Sequence, residues 1–170
     1  MMNKSSLPIL GQEEGGILGC SECSHVCHYR CCDQSRPEDP DFGPENSILL
    51  YPGEWEGVRE DIRSHLLITM EDYNGGKLAY CDRENFDQSS CHPERNFKPL
   101  DCMSYPFAPA IRDGELCLLI DSKRCPLPEE QLQSHAIMIR RKWEEAIAEN
   151  PAVADWIGQL SLEDYKLSIF

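Results

Sequence analysis

The chain has 170 residues, of which 41% are hydrophobic and 27% are charged, a composition typical of a soluble globular protein with one core. Acidic residues outnumber basic ones 30 to 16, and the formal net charge of -14 opposes a phosphate backbone, so we expect no nucleic-acid partner. No stretch approaches the roughly 20 apolar residues that a membrane helix requires, so we expect no membrane partner either.

The first residues have the composition of a lead-in rather than of a targeting signal. The segment MMNKSSLPILGQEEGG has one Lys and lacks the apolar run of a secretory signal. We therefore expect residues 1–19 to lead into a single domain over residues 20–170, in a cytoplasmic protein. Thiols stay reduced in that compartment, which disfavours disulfides among the ten cysteines.

The segment CSECSHVCHYRCCDQ, residues 20–34, holds half of all the cysteines. Four of them are separated by three, four and four positions: Cys20, Cys23, Cys27 and Cys31. One interpretation is a helical stripe of small buried side chains. In a regular helix Cys20 and Cys31 would lie ~16 Å apart, whereas a zinc–thiolate bond is ~2.3 Å long, so one ion cannot bind all four. We expect this segment to supply part of a ligand set.

The next part of the chain predicts a helix and a hairpin. ILLYP, residues 48–52, is a short apolar run that ends at Pro52-Gly53. Apolar residues at spacings of three and four over residues 55–70 predict a helix that passes into an extended LLITM. The sequence Asn74-Gly75-Gly76 lies between two apolar runs and predicts a hairpin turn.

Residues 82–110 look mostly irregular, because they contain four prolines and little periodicity. A long irregular stretch in a compact domain needs something other than secondary structure to organise it. A metal is one such organiser. Cys91, Cys102 and Cys125 are the natural candidates to complete the ligand set begun by the N-terminal cysteines.

The C-terminal part predicts a strand and two helices. ELCLLID, residues 115–121, follows an Asp113-Gly114 turn and predicts a buried strand, with Cys117 as a buried structural thiol. An amphipathic helix is predicted from Pro128 to the residue before Asn150. Its apolar residues, and those of a short second helix, are Leu132, Ala136, Ile139, Trp143, Ile147, Val153, Trp156, Ile157 and Leu160.

The predicted fold class is therefore α+β: a small antiparallel sheet, C-terminal helices from about residue 128, and a cysteine-rich, metal-organised loop region. All-thiolate coordination suits zinc or an iron–sulfur cluster. Cys125-Pro126 resembles the end of many iron–sulfur ligand runs. Three histidines lie beside thiols and are further candidate ligands, although a surface or hydrogen-bonded role is the preferred interpretation of each: His25, His28 and His92.

The cysteine elements follow one another in a fixed order. A run that ends in a Cys-Cys pair, CSHVCHYRCC, precedes Cys81, then CHPERNFKPLDCMSYPF, then Cys125. This order resembles the YkgJ-type cysteine-cluster family, described as zinc- or iron-chelating domains, with flagellin N-methylase-type proteins as relatives. The resemblance spans roughly residues 20–126. It implies metal-binding roles for Cys23 or Cys27, Cys31, Cys32, Cys81, Cys91, Cys102 and Cys125.

Three functions are consistent with these patterns. The first is a metalloprotein that holds an iron–sulfur cluster, iron or zinc on clustered thiolates. A cluster of this kind is suited to redox chemistry, and the family resemblance implies group transfer to a protein lysine as an alternative, with S-adenosylmethionine as a candidate cofactor and a protein partner or substrate. The alternative is a non-catalytic, zinc-stabilised protein-interaction module, in which closed thiolate sites contribute folding energy. The third, a redox sensor using Cys31-Cys32 or Cys20-x-x-Cys23, lacks the expected βαβ context.

Overall fold

The computed structural model describes residues 47–82, 97–120, 128–160, 162 and 166–167. The strands are β1 (Ile48–Leu50), β2 (Leu66–Tyr73), β3 (Gly76–Cys81), β4 (Phe107–Arg112), β5 (Glu115–Ile120) and β6 (Lys166–Leu167). The helices are α1 (Glu60–Arg63), α2 (Leu100–Ser104), α3 (Glu129–Glu149) and α4 (Ala152–Ile157). The predicted α+β class, with antiparallel strands and C-terminal helices, is confirmed. The lead-in and the cysteine-rich segment lie outside the described residues.

The strands form two antiparallel sheets instead of the single small sheet predicted. Their strand orders are β1-β3-β2 and β4-β5-β6. Both predicted turns are confirmed: Asn74 and Gly75 have φ of 54° and 90°, and Asp113 and Gly114 have φ of 54° and 80°. Positive φ at both central residues is the requirement of the tight turn that matches the twist of a hairpin. Each turn therefore joins two neighbouring strands, β2 to β3 and β4 to β5.

The helix predicted over residues 55–70 is wrong for most of its length. Helix α1 has a single turn, and the chain is already extended from Leu66 onward. The Arg63 guanidinium lies over the Trp55 ring, 4.2 Å from its centre, and donates a 2.7 Å hydrogen bond to the Trp55 carbonyl. This contact closes the segment into a compact turn. The apolar residues beyond it pair with β3, so LLITM is extended as predicted.

Residues 100–112 are not irregular, contrary to the prediction. They form α2 and β4, although Pro109 lies in the middle of the strand. Proline cannot donate a ladder hydrogen bond and is therefore confined to edge strands. Strand β4 is at the edge of its sheet. The absence of periodicity in the sequence thus reflects a short helix and an edge strand.

The two C-terminal helices are confirmed. Helix α3 begins after Pro128 and ends before Asn150, and α4 follows directly. The predicted apolar residues of α3 are buried as far as Trp143, and Ile147 is half-buried. In α4 the buried residues are Val153, Trp156 and Ile157. Among the helices that the structure describes, none has the length and apolar character needed to cross a membrane.

Two apolar clusters lie on opposite faces of the first sheet, because successive side chains of a strand alternate between faces. The main core contains Leu49 and Leu78, together with residues of the second sheet and of α3 and α4. The small cluster is Ile48, Leu50, Leu66 and Ala79, with Trp55, Ile68, Cys81, Phe97 and Cys102 packed against it. Strand β1 contributes to both clusters.

Replacing Gly76 by Ala is expected to lower the free energy of unfolding by about 2–3 kcal/mol, because the site is already filled. An added Cβ would lie 2.7 Å from Nε1 of Trp156 and against the Leu50 carbonyl oxygen. The Trp156 ring is held by its 3.0 Å hydrogen bond to the Tyr73 carbonyl. Urea denaturation measures the change. Gly57→Ala, where a Cβ meets nothing within 4 Å, is the control, and an equal loss in both variants would contradict this account.

Candidate metal centre

Cys81 and Cys102 border the same small cluster. Cys81 is the last residue of β3 and is paired with Leu66. It lies two residues after Ala79 and therefore faces the same side of the sheet. Cys102 lies in α2, and both residues are half-buried against the apolar side chains of the cluster. Two predicted ligands that are 21 positions apart in sequence are thus brought to one face of one sheet.

The N-terminal segment joins the fold at the same end of this sheet. Strand β1 runs antiparallel to β3, with Ile48 opposite Ala79. The first residue of β1 therefore lies at the end of the sheet where Cys81 ends β3. The segment that precedes β1 carries five cysteines, including Cys31 and Cys32. Its point of attachment is beside Cys81.

The segment that carries Cys91 also begins and ends near this point. The Asp82 backbone N–H donates a 2.8 Å hydrogen bond to the His65 carbonyl. The Phe97 N–H donates a 2.8 Å hydrogen bond to the Ile62 carbonyl, on the same short stretch of chain. Asp82 and Phe97, the described residues on either side of residues 83–96, are therefore held at neighbouring positions of the chain near the small cluster.

Cys125 lies on a third segment outside the described residues. That segment follows Ile120, the last residue of β5, which is paired with Phe107. Phe107 begins β4 and comes shortly after α2, which carries Cys102. Ile120, the last described residue before Cys125, therefore lies near the C-terminal end of α2. The described residues next to the segments with the other predicted ligands lie near Cys81 instead.

Two carboxyl groups fasten α2 to the free edge of β1. Asp101 Oδ2 accepts a 3.0 Å hydrogen bond from the Leu49 N–H. Glu54 Oε2 accepts a 3.2 Å bond from the Tyr51 N–H, and its Oε1 accepts a 2.7 Å bond from the Leu100 N–H at the start of α2. Glu54 is only 8% exposed. These bonds satisfy alternate backbone donors on an edge that has no neighbouring strand among the described residues.

Burial raises the pKa of both acids. Desolvation raises the pKa of Glu54 to about 8, against the effect of its hydrogen bonds from Leu100 and Tyr51, and the nearby Asp101 raises it further. Desolvation also raises the pKa of Asp101 to about 6, while its hydrogen bond from Leu49 acts in the opposite direction. No Lys or Arg forms an ion pair with either acid within the part of the chain that the structure describes. Buried acids that lack a cationic partner among the described residues favour the protonated form, which is consistent with the raised pKa of both groups.

Two histidines that the sequence analysis left out are buried. His65 precedes β2, and its carbonyl oxygen accepts the hydrogen bond from the Asp82 N–H, directly after Cys81. Burial lowers the pKa of the His65 imidazole. His135 lies in α3, with Nε2 3.1 Å from the Tyr105 carbonyl oxygen, and burial lowers its pKa to about 4. Both therefore favour the neutral form. Neither has a cysteine close in sequence, so only the strand pairing shows that His65 is near Cys81.

The structure covers two of the eight predicted ligands. Cys81 and Cys102 are brought to one cluster, as described above. The others lie outside the described residues: Cys23, Cys27, Cys31, Cys32, Cys91 and Cys125. In residues 47–82, 97–120 and 128–160 no three Cys, His, Asp or Glu side chains converge as a metal site would require. Iron and zinc bound by protein thiolates take about four ligands, so two thiols fit only as part of a larger set.

Glu54 and Asp101 are the polar residues of this region that the sequence analysis missed. In the sequence Glu54 stands between a turn glycine and a tryptophan, where an acid is ordinarily a surface residue. Asp101 precedes Cys102 in a stretch without clear periodicity. The only cue was an acid at the start of a helix after Pro99, a position that the helix dipole favours.

Replacing Cys117 by Ser is expected to leave bound metal unchanged, because this thiol lies in β5, the central strand of the other sheet. It was predicted to be buried, but it is only partly buried, opposite Ala110 and outside both clusters. Metal analysis of the purified variant tests this prediction. A fall in metal content matching that of a ligand variant would place Cys117 in the ligand set.

Comparison with protein-family models, with curated proteins and with solved structures finds no match to this chain.

Proposed function

We propose that this chain is a metalloprotein whose centre, an iron–sulfur cluster or an iron or zinc ion, is bound by cysteine thiolates. Cys81 and Cys102 belong to the ligand set, and the rest come from Cys23, Cys27, Cys31, Cys32, Cys91 and Cys125. The observation that carries the proposal is that Cys81 and Cys102 pack against the same small apolar cluster. The chain segments that hold most of the other cysteines are attached next to it.

The donor chemistry supports iron or zinc. Thiolates are soft ligands that select zinc and iron–sulfur clusters over magnesium and calcium. The apolar side chains around Cys81 and Cys102 lower the local dielectric and limit the access of water, which affects the redox potential of a cluster. An iron centre with an open position or a nearby cofactor would allow redox or group-transfer chemistry. The resemblance to YkgJ-type proteins and flagellin N-methylases extends this to lysine methylation with S-adenosylmethionine.

The second candidate is a zinc-stabilised module that binds a protein partner without catalysis. It is favoured by the half-buried positions of both thiols against the small cluster, which suit a closed structural site. A zinc ion with four thiolate ligands would cross-link segments from both ends of the chain. In that case metal binding and folding are coupled, and chelation unfolds the protein.

Metal content and the visible spectrum of protein purified without oxygen test the proposal. A brown protein with iron and acid-labile sulfide, bleached by dithionite, supports the cluster. A colourless protein with stoichiometric zinc supports the structural module. If neither metal is present and all ten thiols titrate freely, the proposal is wrong.

A further inference from the structure

The position of Cys102 depends on the carboxyl groups that join α2 to β1. Helix α2 has only five residues and one full turn, too short to be stable without tertiary contacts. Its first residue, Leu100, donates its N–H to the Glu54 carboxylate. Its second residue, Asp101, accepts a hydrogen bond from the Leu49 N–H. We call Glu54, Asp101 and these hydrogen bonds the carboxylate clamp.

The carboxylate clamp and β1 together link α2, which carries Cys102, to β3, which carries Cys81. Strand β1 lies between the clamp and β3, with its free edge towards α2 and its other edge paired with β3. Cys102 directly follows Asp101, and Cys81 ends β3. A shift of α2 along β1 would therefore move Cys102 relative to Cys81. Metal–thiolate bonds tolerate errors of only about 0.2 Å, so such a shift weakens a shared site.

We propose that Glu54 is a positioning residue for the metal centre, and that its carboxyl group sets metal affinity by fixing Cys102 relative to Cys81. The inference rests on the proposed function. Glu54 is distinguished from an ordinary structural acid by its two acceptor bonds, one to the β1 side and one to α2. One donor, Tyr51, directly follows β1, and the other, Leu100, is the first residue of α2. Asp101 has the same role from the α2 side.

The test compares the affinity of Co²⁺ for metal-free, reduced protein with and without the clamp. Glu54→Ala removes both acceptors, and Glu54→Gln keeps one carbonyl acceptor. Asn150→Ala is the matched control, since it removes a 2.9 Å hydrogen bond to Pro52 in the same turn without touching α2. Thiolate-to-cobalt charge-transfer absorption measures binding. Near-ultraviolet circular dichroism and thermal unfolding report on the fold.

Glu54→Ala is expected to bind Co²⁺ at least about 10-fold more weakly than the Asn150→Ala protein, with Glu54→Gln between them. Equal affinities in folded Glu54→Ala and Asn150→Ala overturn the positioning role and leave the proposed function standing. If Glu54→Ala does not fold, Glu54→Gln decides in the same way: unchanged affinity overturns the inference. A wild-type protein that contains no metal and binds no cobalt would contradict the proposed function itself, independently of the variants.

Discussion

Replacing Cys102 by Ser is expected to remove most of the bound metal and to lower the yield of soluble protein. The hydroxyl of serine is a poor ligand for zinc or iron, and in a site that links distant segments the free energy of metal binding is also free energy of folding. Metal analysis of the purified variant, together with its thermal unfolding, measures both effects. Cys31→Ser is expected to behave in the same way, because it is predicted to belong to the same ligand set.

The double variant Cys81→Ser, Cys102→Ser tests whether the two thiols share one centre. Ligands of one ion or cluster act as a unit, so the double variant should lose no more metal than Cys102→Ser alone. Cys117→Ser is the control for the loss of a half-buried thiol elsewhere. Full metal occupancy in Cys102→Ser and in Cys31→Ser would rule out a shared site.

Stability is expected to fall by about 2 kcal/mol between roughly pH 6.5 and pH 8.5, because folding raises the pKa of Glu54. The ordinary value is near 4.5, and burial raises the pKa of Glu54 in the folded chain to about 8. The folded state therefore holds this proton more tightly than the unfolded state does. The resulting stabilisation is fully present below the ordinary pKa of a glutamate and is lost as the pH rises through the pKa of Glu54 in the folded chain.

Two other described groups with shifted pKa values, His135 and Asp101, act outside this window. The lowered pKa of His135 destabilises the fold only as the pH falls below its ordinary value, so its effect is constant above about pH 6.5. The pKa of Asp101 is about 6 in the folded chain, so its contribution to stability is mostly lost before the pH reaches about 6.5. Denaturant unfolding at several pH values gives the slope. Glu54→Gln should flatten it, and Glu144→Gln, which removes an exposed acid of α3, should not. The same slope in wild type and in Glu54→Gln would contradict the assignment.

Local chemistry made several elements predictable from sequence. The residues of both hairpin turns specify positive φ, and the α3 pattern combines an initial Pro128 with apolar residues at helical spacing. Residues 55–70 also carried a helical spacing, and the extended LLITM at their end was predicted, but the helix before it has only one turn, Glu60–Arg63. The contact between Arg63 and Trp55 that closes this turn joins residues eight positions apart, and helical spacing alone does not indicate it.

The candidate site was predictable only in part. Residue type identified Cys81 and Cys102 as ligand candidates, and strand register was needed to show that they border one cluster. The carboxylate clamp could not be foreseen, because its partners are backbone N–H groups 46 and 52 positions away from their acceptors. Backbone donors look the same at every position of a sequence, so only the fold reveals which side chain receives them.

The two apolar clusters also divide the tryptophans of the chain. Trp143 and Trp156 are buried in the main core, whereas Trp55 packs at the small cluster beside the candidate ligands. Intrinsic fluorescence therefore contains two separable reporters. Emission from Trp55, isolated by replacing the other two with Phe, follows events around Cys81 and Cys102. Emission from Trp143 and Trp156, isolated in a second variant by replacing Trp55 with Phe, follows the integrity of the main core, so ligand exchange and global unfolding can be timed separately.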